Sequence, residues 1–406
     1  MSVSRTVEGG VCSAKGFRAA GVAAGIKYEG RNDVALIVCD APCSAAAVFT
    51  TNRVAAAPVL YDREVIRNGR AQAIFANSGC ANACTGEEGL ADAERTARAV
   101  AAELGVDSRN VLVASTGVIG RRLPMDRLLA GLKKAAASLG DTPEHGLAAE
   151  KAVMTTDTRP KQACATVTVS GRKVTVGGMA KGSGMIEPNM ATMLGFITTD
   201  VAIVPTLLRK ALRMAIAKSF NHLVVDGDES TNDSVFILAS GRAGNPIIMR
   251  SNDDFAAFVD ALERVCVSLA RQMATDGEGA TKFVTVTVKG AKDAKDAERA
   301  ARAVAKSPLA KTSWFGRDPN WGRVLAAVGY SGAAVTDTKS EVFYDREWAF
   351  RFGKVADEAQ LARLAEVMKK DEFTVTVDLH LGDGECTIYT CDFSTEYVHI
   401  NADYTT

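Results

Sequence analysis

The 406-residue sequence lacks a charge bias: Lys+Arg and Asp+Glu both number 48, so the formal net charge is zero. Without a surplus of either sign there is no electrostatic argument for a nucleic-acid or membrane-surface partner. No apolar run approaches the ~18 residues of a membrane-spanning helix, and Met1–Gly10 carries Arg5 and Glu8 in place of an apolar leader core. A soluble protein without a secretory signal is expected. Histidine is scarce: His145, His222, His380 and His399 stand in ordinary contexts, and no Ser-His-Asp triad is advertised. Nine scattered cysteines form no small disulfide framework, which points to a reducing cytoplasm and makes the sequon Asn232-Asp233-Ser234 a chance match. Low-complexity linkers and repeats are absent too.

What is present is an alternation of apolar runs with amphipathic stretches, which predicts an α/β (α+β) fold. Strands are expected at Val34–Cys39, Ala71–Phe75, Val111–Ala114, Leu223–Val225, Val235–Ala239, Phe283–Lys289, Val324–Val328, Phe373–Leu381 and Cys386–Thr390, with a hairpin joining Ala165–Val169 to Lys173–Val176. Helices are expected at Leu90–Leu104, at Met125–Leu139 with Pro124 in the first turn, near Pro205–Ser219, and from about Asp254 to Met273. Alanines and i,i+4 charge pairs make Asp293–Lys306 a solvated helix rather than a linker. A boundary near residue 280 would divide a catalytic region, 1–280, from a smaller C-terminal α/β domain, 281–406.

The densest punctuation is Lys181-Gly-Ser-Gly-Met-Ile-Glu-Pro-Asn-Met-Ala-Thr192-Met-Leu. Gly182, Gly184 and Pro188 forbid regular structure, while Met185, Ile186, Met190, Met193 and Leu194 drive the segment inward. It is either an ordinary strand-to-helix connection or a buried loop kept for function, since buried irregular backbone needs partners away from water. Without a histidine base, a hydroxyl can still be activated by a free α-amine on the same residue, as where chain cleavage makes a Thr N-terminal. That amine has a reference pKa of about 7.7–8 and can accept the Thr proton near neutrality.

This segment closely resembles the self-cleavage and nucleophile motif of the glutamate N-acetyltransferase (ornithine acetyltransferase) family of arginine biosynthesis. The resemblance spans the chain in order. It includes Ala14-Lys15-Gly16-Phe17, Phe49-Thr50-Thr51-Asn52, Asn77-Ser78-Gly79, Ala114 to Gly120, Met154 to Thr158, Asp226-Gly227-Asp228, Asp276 to Lys282, Asp318 to Arg323 and Asn401 to Thr406. It implies the layered sheet-and-helix sandwich of that family and a cut between Ala191 and Thr192. The products would be chains 1–191 (α) and 192–406 (β), with Thr192 as nucleophile.

It further implies an oxyanion hole at Thr116 and Gly117 and substrate contacts at Thr155, Lys181, Thr192, Glu278, Asn401 and Thr406. The implied reaction moves acetyl from N2-acetyl-L-ornithine to L-glutamate through an acetyl-enzyme, with acetyl-CoA a second donor in some members. An α2β2 heterotetramer and the absence of cofactor and metal are implied as well. The residue chemistry agrees: Thr116 and Gly117 after a strand could donate to an oxyanion, and Lys181 and Glu278 suit an amino acid's carboxylate and ammonium. Two other functions stay open, an amidase or aminopeptidase of the same nucleophile class and a non-catalytic metabolite-binding homologue.

Other motifs are set aside. Gly277–Lys282 ends Gly-Ala-Thr-Lys and is no P-loop; Gly329-Tyr330-Ser331-Gly332-Ala333 lacks the final Gly of a nucleophile elbow. Asp226, Asp228, Glu229 and Asp233 lack the Gly of a calcium loop and suit capping and turns. The pairs Cys39/Cys43 and Cys80/Cys84 read as packed thiols.

Overall fold

The protein, described here by a computed structural model over residues 4–187 and 193–403, builds two sheets. The larger uses β1 (Arg5–Val7), β2 (Phe17–Val22), β3 (Val34–Phe49), β4 (Arg70–Asn77), β5 (Val111–Ser115), β6 (Gln162–Val169), β7 (Arg172–Lys181), β8 (Leu194–Thr199) and β9 (Ser234–Ala239). Their order is β1-β6-β7-β8-β9-β3-β4-β5, with β2 also on β3; the pairs β4–β5 and β8–β9 are parallel.

Period-2 alternation explains how β3 serves both faces of this sheet. Val34, Leu36 and Val38 enter a core with α2 (Gly86–Leu104) and α3 (Met125–Ala137), which follow α1 (Ala57–Val65). Ala35 and Ile37 point the other way, into a core shared with α4 (Pro143–Val153). Further along, Ala46 and Val48 pack with α5 (Pro205–Ala217) and α6 (Asp253–Thr275). In α6, Phe255, Phe258, Val259, Leu262, Val265, Cys266, Leu269 and Met273 make one buried stripe, and the Asn252 side chain caps its start by accepting from Phe255 N. The hairpin β6–β7 turns at Ser170 and Gly171, both at positive φ, as a two-residue turn between right-twisted strands requires.

The smaller sheet uses β10 (Phe283–Ala291), β11 (Glu341–Tyr344), β12 (Glu347–Arg351), β13 (Lys354–Val355), β14 (Glu372–Asp378) and β15 (Gly384–Cys391), in the order β13-β12-β11-β14-β10-β15. The alanine-rich stretch is helix α7 (Ala294–Lys306). Its Ala297, Ala300, Ala301 and Val304 bury against Val284, Val286 and Val288 while Lys295, Glu298, Arg299 and Lys306 face outward; Asp296 is buried. After it come α8 (Pro308–Phe315), α9 (Trp321–Tyr330), α10 (Glu358–Met368) and α11 (Thr395–Asp403).

Two expected strands are corrected. Val324–Val328 lies inside α9: its buried residues Val324, Ala327 and Val328 share a helix face, and Asn320 caps the start. A five-residue apolar run does not by itself separate strand from helix. Leu223–Val225 joins no ladder; Leu223 is extended and makes one isolated bridge to Tyr389, and Val225 N donates to Ile186 O at 2.7 Å. All nine cysteines are free, and Cys39, Cys43 and Cys80 are packed as expected, whereas Cys84 is exposed. Ser331 ends α9 and donates to Val328 O, a capping contact. Among the described residues no helix is long and apolar enough to cross a membrane.

Candidate active site

Thr116, Gly117, Thr155, Lys181, Glu278 and Asn401, drawn from five separate segments, line one cavity of about 140 Å³. Met193, Leu194, Asp226, Asp228 and Ser230–Asp233 complete much of its wall. Three further positions selected from the sequence, Ala191, Thr192 and Thr406, lie outside the described residues.

Thr116 and Gly117 leave the end of β5, where Thr116 N donates to Asn77 O at 3.0 Å. Gly117 has φ +125°, and a Cβ there would lie 2.5 Å from the Gly79 carbonyl carbon, so the position requires glycine. Buried Asn232 fixes this corner by donating through Nδ2 to Ser115 O at 2.8 Å and Ala81 O at 2.6 Å.

Lys181 ends β7, and its ammonium stands 3.4 Å from Thr116 Oγ1. Burial pulls the Lys181 pKa down, opposed by the carboxylates of Asp157, Glu278 and Asp233. Asp157 is pushed up by its own burial, but Lys181 and Lys161 outweigh that and hold it at about 2. Asp233 goes the other way: burial raises its carboxyl well above the usual range, against hydrogen bonds from Ser230 and the Met193 N–H.

The Gly-rich segment after Lys181 is buried, and its backbone finds partners. Gly182 N donates to Asp157 Oδ1 at 2.6 Å, Met185 N and Ile186 N to the two oxygens of Asp226 at 2.6 and 2.8 Å, and Glu187 N to Asp228 O at 3.0 Å. Asp226 thus serves as a turn and loop anchor, the role its sequence context suggested. Glu278 follows the C-terminus of α6, and its N–H donates to Ser183 O at 2.8 Å. Its carboxylate lies against Gly184, where any Cβ would collide with it, and accepts from Asn401 Nδ2 of α11 at 2.7 Å.

One corner therefore offers a hydroxyl beside a cation, and another a carboxylate held by an amide. Such a cavity suits a small zwitterion whose carbonyl is brought to Thr116 and Gly117. The sequence reading missed Asp157, Lys161 and Asp276 as working groups, along with Asn232, Asp233 and Tyr397. Only the blocks 154–158 and 276–282 hinted at the first and third, and they carried no chemistry by themselves.

A profile of the ArgJ family matches residues 18–406. The chain belongs to the ArgJ family. It is 52% identical over 392 residues to the arginine biosynthesis bifunctional protein ArgJ of Geobacter sulfurreducens, covering 97% of this chain and 99% of that one. To the ArgJ protein of Symbiobacterium thermophilum it is 52% identical over 402 residues, covering 98% and 99%. Among solved structures it is similar to ornithine acetyltransferase of Mycobacterium tuberculosis complexed with ornithine, at 47% identity, a TM-score of 0.44, and coverage of 47% of this chain and 100% of that one. ArgJ family membership places the chain in arginine biosynthesis.

Proposed function

We propose that the cavity is the active site of a self-processing acetyltransferase that moves acetyl from N2-acetyl-L-ornithine to L-glutamate. The observation that carries this reading is the convergence of Thr116, Gly117, Lys181 and Glu278 on one cavity whose wall includes Met193, the residue after Thr192. Cleavage at Ala191–Thr192 releases chains 1–191 and 192–406, and the new α-amine of Thr192 takes the proton of its own hydroxyl. Thr192 Oγ attacks the acetyl carbonyl, and the oxyanion receives bonds from the Thr116 hydroxyl and the Gly117 N–H. The C–N bond then breaks, ornithine leaves with the proton on its α-amine, and acetyl remains on Thr192. Glutamate's neutral α-amine attacks that ester, the C–O bond breaks, and the Thr192 hydroxyl regains its proton as N-acetylglutamate forms.

Lys181 and Glu278 receive the substrate's carboxylate and ammonium, with Thr155, Asn401 and Thr406 completing the contacts. No cofactor enters these steps. Acetyl-CoA can reload Thr192, the two chains assemble as an α2β2 heterotetramer, and the enzyme works in the cytoplasm. The test is to incubate purified protein with acetylornithine and glutamate, with acetylornithine alone, and with acetyl-CoA and glutamate, and to sequence the N-termini of its bands. N-acetylglutamate formation, with one band beginning at Thr192, is expected. Acetate release without need for glutamate would make the protein a hydrolase, and an uncut chain without product would leave a binding protein.

A further inference from the structure

Behind the cavity wall lies a charge cluster with no part in the chemistry above. Lys161 is 1% exposed, and its Nζ lies 2.8 Å from Asp157 Oδ1 and 2.5 Å from Asp276 Oδ2, with Arg159 O at 3.2 Å. The two carboxylates use their remaining capacity on backbone N–H groups and one hydroxyl. Asp157 accepts from Thr155 N at 3.0 Å and from Gly182 N at 2.6 Å, while Asp276 accepts from Thr158 N at 3.0 Å and from the Thr158 hydroxyl. Three loops meet here, and each carries a cavity-lining residue within two positions of a bond: Thr155 itself, Lys181 beside Gly182, and Glu278 two after Asp276.

Burying three charges is expensive, and well-packed apolar residues of similar volume often stabilise a fold as well or better. Stability is therefore a weak reason for this cluster, whereas its bonds to three site loops supply a specific one. We propose that Asp157, Lys161 and Asp276 form a positioning device that sets the separation of Lys181 and Glu278 and holds Lys181 in an anionic field. The inference rests on the acetyltransferase reading. Lys181 faces Asp157, Lys161, Glu278 and Asp233, and among these Asp157 favours its ammonium while Lys161 opposes it. The carboxylate and side-chain ammonium of acetylornithine do not change when its acetyl group moves to Thr192, so misplacing the Lys181 and Glu278 loops weakens uniform binding and acts through KM for acetylornithine.

The test compares two variants, per mature active site, over a range of pH. Asp157→Asn should lower kcat/KM by about 10²-fold, mostly through KM, as small misplacements away from the chemistry can. It should also move the alkaline limb of kcat/KM to lower pH, because Lys181 loses the carboxylate that most favours its ammonium. The double variant Lys161→Met, Asp276→Asn removes one cation and one anion together, so buried charge stays balanced and it carries the test if Asp157→Asn fails to fold. It should raise KM while moving the alkaline limb to higher pH. A merely structural role would lower the melting temperature of both and move neither limb. Matured variants with wild-type KM and unmoved limbs, or limbs moved in the same direction, overturn the inference. A wild-type protein silent with acetylornithine and glutamate overturns the acetyltransferase reading and this inference with it.

Discussion

The Lys181 ammonium stands 3.4 Å from the Thr116 hydroxyl, and each of the two residues is fixed by its own backbone. Thr116 is held at a strand end by Asn77 O, and Lys181 by the last rung of β7 with Leu194 on β8. An ammonium can only donate, so the Thr116 oxygen accepts from it and the Thr116 hydrogen is left to point elsewhere. This arrangement suits a donor aimed at charge that develops in the transition state.

Thr116→Ala should therefore lower kcat far more than it raises KM. Removing one preorganised oxyanion donor typically costs about 10²–10³ in kcat, roughly 2.7–4 kcal/mol. In the proposed self-cleavage the Ala191 carbonyl would become an oxyanion for the same donor to receive, so maturation should slow as well. Steady-state kinetics corrected for the mature fraction checks this. Thr116→Ser, which keeps the hydroxyl, should stay close to wild type.

Gly184 makes a different prediction, because the obstacle to a side chain there is the mobile end of Glu278 rather than backbone. Gly184→Ala should fold with an unchanged melting temperature while its methyl displaces the Glu278 carboxylate. A charge-assisted hydrogen bond is worth roughly 1.5–3 kcal/mol, so KM for acetylornithine should rise about 10–150-fold with kcat little altered. Kinetics and calorimetry on one preparation decide it. A variant with unchanged KM would mean that Glu278 does not touch the substrate.

Much of the fold was legible because its signals are local. The buried stripe of α6 and the small-residue face of α7 repeat at helical spacing, and the Ser170-Gly171 turn announces its hairpin. Val324–Val328 was misread because a short apolar run fits either period, and only the Asn320 cap and the neighbours of α9 decide between them. For the site, the oddity of residues 181–194 was visible, and the resemblance named the residues that line the cavity. The bond between Lys161 and Asp276 could not be seen, since 115 positions separate them and each looks like an ordinary solvated charge until the loops meet. Asp226 was legible as a turn former, but its clamp on Met185 and Ile186 depends on tertiary structure.

Glu150 of α4, which does not line the cavity, gives a pH prediction for stability. Its side chain is fully buried, and burial raises its pKa to about 8 against the weaker pull of Gln162 and Lys161. An acid whose folded pKa exceeds its unfolded value binds more protons when folded, so stability falls as pH rises between the two values. The wild type should lose stability from about pH 4.3 toward pH 8 through this group and then level off. Glu150→Gln carries no such charge, so its stability relative to wild type should climb through that window by a few kcal/mol. Denaturant melts at several pH values measure the difference. Parallel curves for the two proteins would show that Glu150 does not titrate in that range.

The last prediction follows from one nucleophile serving both half-reactions. On the proposed mechanism acetylornithine delivers its acetyl group to Thr192, and ornithine leaves before glutamate attacks the acetyl-enzyme. Double-reciprocal plots at several glutamate concentrations should be parallel. Acetylornithine alone should add one acetyl mass to the chain beginning at Thr192, and glutamate should then remove it. Thr192→Ala should neither be cut nor acquire the label, because both events need the hydroxyl. Intersecting lines without a labelled chain would mean direct transfer between two bound substrates and would rule out Thr192 as the nucleophile.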